Sequence, residues 1–134
     1  MKFALIASLA LIGSQAVKIT STEDEGADEV SISILDAGNG ELCQAEQTAA
    51  VQYTGALTSN GKVFDSSIPR GQPITFKIGD FRVISCWETA IVQMKVGEKA
   101  DIVCPAKTAY GQRSKPNIPA GSDLTFNVEV VSCE

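Results

Sequence analysis

The sequence predicts an α+β fold in which one amphipathic helix packs on an antiparallel sheet. Short runs of residues alternate between apolar and polar side chains with a period of two, which is typical of strands that bury one face. A single stretch near residue 90 repeats instead with the helical period. Several strands with one short helix favour a two-layer arrangement, with the helix covering one face of the sheet.

The alternating runs predict strands at residues 30–34, 48–53, 74–78, 100–104 and 124–131. Gly38-Asn39-Gly40 ends the first of these runs. Asn60-Gly61, directly before Lys62-Val63-Phe64, is a strong signal for a β-hairpin.

The helical stretch begins near Ser85. Its shared apolar face consists of Trp87, Ala90, Ile91 and Met94, at positions i, i+3, i+4 and i+7. Ser85 with Glu88 three residues later predicts a capping box, and Gly97 lies just past the expected end. We therefore expect a helix of about nine or ten residues, near the usual mean of about 11–12.

The N-terminal residues predict a secretory leader. Lys2 precedes an apolar run over residues 3–13, and Ser14-Gln15-Ala16 offers small residues for a signal peptidase. A membrane anchor or a buried helix is the alternative, but the run is shorter than the roughly 20 residues needed to span a bilayer. We expect a cleaved signal over residues 1–16, an acidic flexible segment over 17–29 and one domain over 30–134.

Composition narrows the range of functions. The chain has no histidine, so it lacks the commonest general base and the commonest metal ligand. The net charge of −5 disfavours nucleic acid as a partner. We expect no metal and no cofactor, and catalysis, if present, by shape and solvation.

The four cysteines are Cys43, Cys86, Cys104 and Cys133. They form no Cys-x-x-Cys pair, which argues against a zinc site and a thioredoxin-like centre. With a secretory leader, disulfide bonds are the main interpretation, and four cysteines allow three pairings. Four buried free thiols are the alternative.

Short motifs then carry a family resemblance over about residues 32–134. They are Val51-Gln52-Tyr53-Thr54-Gly55, Phe64-Asp65-Ser66-Ser67, Val83-Ile84-Ser85-Cys86-Trp87-Glu88, Val96-Gly97-Glu98-Lys99, Ala109-Tyr110-Gly111 and Ile118-Pro119. In this order and spacing they resemble the FKBP-type peptidyl-prolyl cis-trans isomerases.

The resemblance implies a five-stranded antiparallel half-barrel wrapped around one short helix, with a pocket between the two. It implies catalytic roles for Asp65, Tyr110, Trp87 and Phe64. It implies that substrate is bound by Tyr53, Ile74, Phe76, Val83, Ile84, Ile118 and Phe126, with the Ile84 N–H as a further polar group. Without the family pattern, the aromatic residues would be interpreted as ordinary core.

The chain departs from the family pattern at the pocket rim. Ile74 stands where many members carry Phe, and Cys86 stands where a Gly usually precedes the Trp. Arg82 replaces an acidic residue, and the loop over residues 111–119 is one residue shorter than in the best-known cytosolic members. These departures bear on ligand affinity and on preference for charged neighbours of the proline.

The implied activity is isomerisation of X–Pro bonds in protein folding, in the endoplasmic reticulum lumen or after secretion. The implied partners are proline-containing polypeptides and FK506-type macrolides, and we expect a monomer with no stable membrane anchor after signal cleavage. The alternative is a binding module or chaperone that captures proline segments or macrolides without turnover. The family fold also favours the pair Cys43 with Cys133, because Cys43 precedes a strand that would run antiparallel to the last strand, so that its start meets the end of the other. Cys104 and Cys133 would lie at opposite ends of neighbouring antiparallel strands, beyond disulfide reach, and the second favoured pair is Cys86 with Cys104.

Overall fold

The computed structural model describes residues 16–19 and 29–134. The strands, in chain order, are β1 (Ala16–Ile19), β2 (Val30–Asp36), β3 (Thr48–Leu57), β4 (Val63–Ser66), β5 (Ile74–Lys77), β6 (Lys99–Cys104) and β7 (Leu124–Cys133). The helix α1 spans Ser85–Ile91, and a short 3₁₀ helix spans Ala106–Thr108. The predicted α+β class, an antiparallel sheet with one α-helix, is confirmed in the described residues.

The strands form one antiparallel sheet in the order β1-β2-β6-β7-β3-β4, and β5 also pairs with β3. The two ten-residue strands, β3 and β7, pair along their whole length, from Ala49 opposite Cys133 to Leu57 opposite Leu124. The predicted hairpin is confirmed, since β3 and β4 are antiparallel neighbours and Gly61 takes a positive φ of 76° in their connection.

The sheet has seven strands in the described chain, so the expected number of five is wrong. One edge position holds two short strands, because β5 pairs with the first half of β3 and β4 with the second half. At the other edge β1 pairs with β2, with Ala16 opposite Ser33 and Ile19 opposite Val30. Ala16, the last residue of the predicted signal over 1–16, and residues 17–19 of the expected flexible segment over 17–29 are therefore strand. Residues 1–15 of the predicted signal and the acidic residues 20–28 lie outside the described residues.

The helix is shorter than predicted and is not capped as predicted. It ends at Ile91, and Met94, although fully buried, lies in the turn that follows. Ile84 is the N-cap residue, without a side-chain cap. The capping box is wrong because both side chains bind elsewhere: Ser85 donates to the carbonyl of Thr108 (3.2 Å), and Glu88 accepts from the loop before the helix.

The core lies between the inner face of the sheet and the helix. On β7, Leu124, Phe126, Val128 and Val130 are buried at alternate positions, as the pattern predicts. They pack in one cluster with Trp87, Ala90 and Ile91 of the helix. The helix therefore has its aromatic residue against the centre of the sheet.

All four cysteines are in disulfides, which confirms the favoured pairing. Cys43 is bonded to Cys133 and Cys86 to Cys104, with Cα–Cα distances of 5.6 and 5.7 Å. Cys104 pairs in the sheet with Leu124, at the opposite end of β7 from Cys133. No helix in the described part of the chain has the length and apolar character needed to cross a membrane.

Candidate functional site

A cavity of about 190 Å³ opens between the N-terminal end of α1 and the inner face of the sheet. It is lined by Tyr53, Phe64, Asp65, Ile74, Arg82, Val83, Ile84, Trp87, Tyr110 and Phe126. These residues come from strands β3, β4, β5 and β7, from the helix and from two loops. All but two of the predicted site residues meet here.

The two exceptions are Phe76 and Ile118, which the structure does not place at the cavity wall. Phe76 is buried and packs against Trp87, with their ring centroids 5.9 Å apart. It therefore supports this cavity residue without lining the cavity itself. Ile74 and Phe76 are two residues apart and share the inward face of β5, but Ile74 lines the cavity and Phe76, further along the strand, packs in the core. Ile118 is also buried and lines a neighbouring depression with Leu57 and Pro119.

The aromatic side chains pack mainly edge to face around Trp87. Its ring centroid lies 5.3 Å from that of Tyr53 and 5.3 Å from that of Phe126, at interplanar angles of 81° and 83°. Phe64 meets Phe126 in the same way at 5.8 Å and 88°. Each such contact contributes about 0.5–1.5 kcal/mol beyond area burial, so the walls hold their shape.

Gly55 makes this packing possible. A Cβ at this position would lie 2.7 Å from both the Phe64 and the Phe126 ring. Real Cβ contacts are essentially never so short, and both rings are held by their neighbours. The glycine of the Tyr53-Thr54-Gly55 motif is thus needed for the close approach of two pocket rings.

Asp65 is the centre of a polar network at one side of the cavity. Its carboxylate accepts hydrogen bonds from the Tyr53 hydroxyl (2.5 Å), the Arg70 guanidinium (3.2 Å) and the Ser66 N–H (2.9 Å). Arg70 also donates to the Tyr53 hydroxyl oxygen at 3.1 Å. The three side chains therefore fix one another.

The network lowers the pKa of Asp65 and raises the pKa of Tyr53. Burial acts to raise the pKa of Asp65, but the hydrogen bonds from Tyr53 and Arg70 outweigh it, so this pKa is lowered. Burial and the hydrogen bond to Asp65 raise the pKa of Tyr53. Asp65 is thus an ionised acceptor and Tyr53 a neutral donor at neutral pH.

Sequence reasoning missed Arg70 and Ser67. Ser67 is fully buried, and its Oγ accepts the Tyr53 N–H at 2.9 Å and donates to the Gln52 side chain. An Asp followed by two serines suggested only a local turn, whereas these bonds cross from β4 to β3. The basic residue five positions after Asp65 was the one available signal for Arg70.

Glu88 holds the loop that leads into α1 through two hydrogen bonds. This buried carboxylate on α1 accepts the N–H groups of Gly79 (2.8 Å) and Phe81 (2.9 Å). Both loop residues have positive φ, 103° and 53°, which is unfavourable for Phe, so the two hydrogen bonds hold a conformation that the loop would not favour alone. The carboxylate thereby fixes the segment that leads into the pocket wall.

The predicted backbone donor is at the helix entry. The Ile84 N–H has no acceptor among the described residues, whereas its carbonyl accepts from Trp87 and Glu88. The Trp87 indole N–H is likewise buried without a partner in this part of the chain. Buried donors are usually paired, so an unpaired one in a cavity is characteristic of a binding site.

Tyr110 stands at the mouth, half-buried, on the loop that follows the 3₁₀ helix. The Lys115 ammonium lies 5.0 Å from the centre of its ring, a cation–π contact. No group of three or more His, Cys, Asp or Glu side chains within residues 16–19 and 29–134 is placed to hold a metal ion. The site is therefore an apolar cavity with a few polar groups at its edge, a form typical of small-ligand pockets.

Comparison with known proteins agrees with the fold. The family model for FKBP-type peptidyl-prolyl cis-trans isomerase matches residues 40–131. The chain belongs to this family.

Relatives with curated names include two fungal proteins. The peptidyl-prolyl cis-trans isomerase FPR2 of Saccharomyces cerevisiae is 49% identical over 82 residues, covering 60% of this chain and 61% of its own length. FK506-binding protein 2 of Yarrowia lipolytica is 39% identical over 135 residues, covering 97% of this chain and 90% of its own. The chain spans only 25% of another relative, FK506-binding protein 4 of Mycosarcoma maydis.

Solved structures show the same fold. AtFKBP13 superposes with a TM-score of 0.75 at 33% identity, covering 78% of this chain and 93% of its own. FkpA from Escherichia coli gives a TM-score of 0.74, also at 33% identity, covering 87% of this chain and 51% of its own.

Proposed function

We propose that the chain is a peptidyl-prolyl cis-trans isomerase that binds the prolyl ring in the Trp87 cavity. The observation that carries the proposal is the edge-to-face cluster in which Tyr53 and Phe126 both contact Trp87 at 5.3 Å. It makes a rigid apolar cavity of about 190 Å³, of a scale suited to one small ring. Family membership supports the same reaction.

The cavity favours the twisted amide by solvation. Rotation about a peptide bond costs about 18–20 kcal/mol because resonance must be broken. At the twisted transition state the carbonyl is less polar than in the planar amide, so it loses less on leaving water. An apolar wall therefore stabilises the transition state more than the ground state, and each tenfold in rate requires about 1.36 kcal/mol of this difference.

The polar groups orient the substrate and do not transfer protons. Isomerisation makes and breaks no covalent bond, so no general acid or base is needed. Asp65, held ionised and in place by Tyr53 and Arg70, is a fixed polar group that orients the substrate at one side of the cavity. In this proposal the Ile84 N–H, which has no acceptor in the described chain, and the Tyr110 hydroxyl bind carbonyl groups that flank the proline; both residues line the cavity.

The site residues, partners and location follow as parts of this proposal. Asp65, Tyr110, Trp87 and Phe64 act on the reacting bond. FK506-type macrolides compete for the same cavity, as the names of two FK506-binding relatives suggest. Two disulfides together with the signal-like N-terminus support an oxidising compartment, in the lumen or outside the cell. We further propose that the mature domain acts as a monomer without a membrane anchor.

The test is a cis/trans exchange assay on a short prolyl peptide. Trp87→Ala and Phe64→Ala should each lower kcat/KM at least tenfold, since each removes a wall of the cavity. Truncating a buried aromatic residue costs about 3–5 kcal/mol of stability, so circular dichroism must show that the variants are folded.

Phe76→Ala is the matched control. It removes a ring of similar burial that contacts Trp87 from behind, so its effect measures packing loss alone. Unchanged turnover in folded Trp87→Ala and Phe64→Ala would refute the pocket assignment. Binding of a prolyl peptide by the wild-type protein without turnover would establish the binding module instead.

A further inference from the structure

The cavity mouth has positive charges, although the chain is acidic overall with a net charge of −5. Arg82 lines the cavity itself. Arg70 lies beside it through its bonds to Tyr53 and Asp65, and Lys115 covers Tyr110. Cations therefore stand on several sides of one apolar opening.

These cations are not equally available to a ligand. Arg70 is engaged, because its guanidinium is paired with Asp65 at 3.2 Å, and this pair cancels the one acidic side chain in the cavity lining. Arg82 is exposed and makes no ion pair in the described part of the chain. It is thus a cavity cation whose charge no protein carboxylate there neutralises.

The backbone that carries Arg82 is held in place. Glu88 fixes the preceding residues through the Gly79 and Phe81 N–H groups, and Val83 and Ile84 follow directly in the pocket wall. The loop also carries Asp80, which is outside the cavity lining. A charge on a positioned backbone can distinguish ligands more sharply than one on a mobile loop.

From this geometry we infer that Arg82 makes the pocket select proline segments with an acidic residue next to the X–Pro bond. The inference rests on the proposed function and specifies its substrate class. An acidic neighbour would meet the exposed Arg82 guanidinium, which no carboxylate of the described chain pairs with, whereas a basic neighbour would be repelled by it. Like charges brought together are penalised, so discrimination arises from both attraction and repulsion.

The experiment compares peptides that differ in one residue. Glu, Gln or Lys is placed before the proline in one series and after it in a second, and both kcat/KM and fluorescence-anisotropy affinity are measured. In the series that gives the larger difference, kcat/KM and affinity of the wild-type protein should be about three- to tenfold higher for the Glu peptide than for the Lys peptide, because attraction of Glu and repulsion of Lys add. The ratio should approach one near 1 M salt, where the Debye length is about 3 Å.

Substitutions of Arg82 and of a control lysine test whether Arg82 causes the Glu-to-Lys preference. Arg82→Gln should bring the Glu-to-Lys ratio near one and Arg82→Glu should invert it. Lys77→Gln removes the same charge from outside the cavity, where Lys77 pairs with Glu46 at 3.4 Å, and should keep the wild-type ratio. An equal change in Lys77→Gln would show a bulk charge effect and overturn the inference.

The readouts separate this inference from the proposed function. Turnover of the Gln peptides with no Glu preference in either series refutes acidic selection and leaves the isomerase standing. Binding that depends on Glu and Arg82 without turnover of any peptide supports acidic selection and refutes the isomerase.

Discussion

The two disulfides lie at opposite ends of the domain and serve different regions. Cys86–Cys104 is buried beside the cavity floor, since Cys86 directly precedes Trp87 and Cys104 ends the strand that leads to the Tyr110 loop. Cys43–Cys133 joins the segment before β3 to the end of β7. Along β7, Cys133 lies seven residues from Phe126, or roughly 23 Å at about 3.3 Å per residue.

The disulfide that is farther from the site also closes the longer loop. The remote bond closes 90 residues and the pocket bond closes 18. In the chain-entropy model the stabilisation grows with the logarithm of loop length, so the remote bond contributes more to global stability. One bond therefore mainly holds the fold, and the other mainly holds the pocket.

Removing the remote disulfide should have the largest effect on stability. Cys43→Ala with Cys133→Ala should lower the free energy of unfolding by about 4–5 kcal/mol, because the unfolded chain regains the entropy of a long loop. The kcat/KM on a prolyl peptide should stay within about twofold of wild type, since the altered sites lie far from Phe126. Urea denaturation followed by tryptophan fluorescence, with the peptide assay, checks both expectations; a large loss of turnover in the folded variant would contradict them.

Removing the Cys86–Cys104 disulfide should reduce stability less and activity more than removing the remote one. Cys86→Ala with Cys104→Ala should cost roughly 3 kcal/mol, as expected for a loop of this size. Here kcat/KM should fall several-fold, because the helix start would lose its covalent link to the end of β6. In the described part of the chain, the Ser85 to Thr108 hydrogen bond (3.2 Å) would then remain as a direct polar link between the helix start and the 3₁₀ segment. If both double variants lost activity equally, the functional contrast between the two ends would be wrong.

The smallest effect concerns pH. The lowered pKa of Asp65 means that its stabilising bonds are fully present above its unfolded value, about 3.9, and are lost as pH falls through the lower folded value. The raised pKa of Tyr53 gives a contribution that is present below about pH 10 and lost as pH rises through the folded value. Between about pH 6 and 8, kcat/KM should therefore be flat.

Tyr53→Phe is the companion variant for this prediction. It removes the hydroxyl donor, so the Asp65 carboxyl should titrate closer to its ordinary value, which NMR of the side-chain carboxyl carbon would report. A bell-shaped rate profile centred near neutrality in the wild-type protein would show that proton transfer does contribute.

Most of the cavity lining was predictable from the sequence, through motifs that span most of the chain. Tyr53, Phe64, Trp87 and Phe126 were assigned to one pocket by their family spacing, and the structure brings them together. Local patterns were equally informative where neighbours decide the structure, as in the alternation of β7 and the Asn60-Gly61 hairpin. The favoured pair Cys43 with Cys133 followed from strand directions that the family fold implied, and the structure contains it.

The failures share one physical cause. Ser85 and Glu88 have the spacing of a capping box, but Glu88 instead accepts from the Gly79 and Phe81 N–H groups, two donors that the folded loop brings to the buried carboxylate. Arg70 joins the site through contacts that depend on how β4 and the following loop return toward β3. Phe76 shares a face of β5 with the cavity residue Ile74, and only its packing against Trp87 outside the cavity lining sets it apart.

The sequence by itself determined the class of fold, the hairpin, the apolar faces and the members of the aromatic cluster, because periodicity and motif spacing are local properties. Only the tertiary structure decided which polar groups pair, how many strands fill each sheet edge and which cation at the mouth is left without a carboxylate. These outcomes depend on distances between segments far apart in the chain, and hydrogen bonds and ion pairs are sensitive to ångström differences that no local pattern encodes.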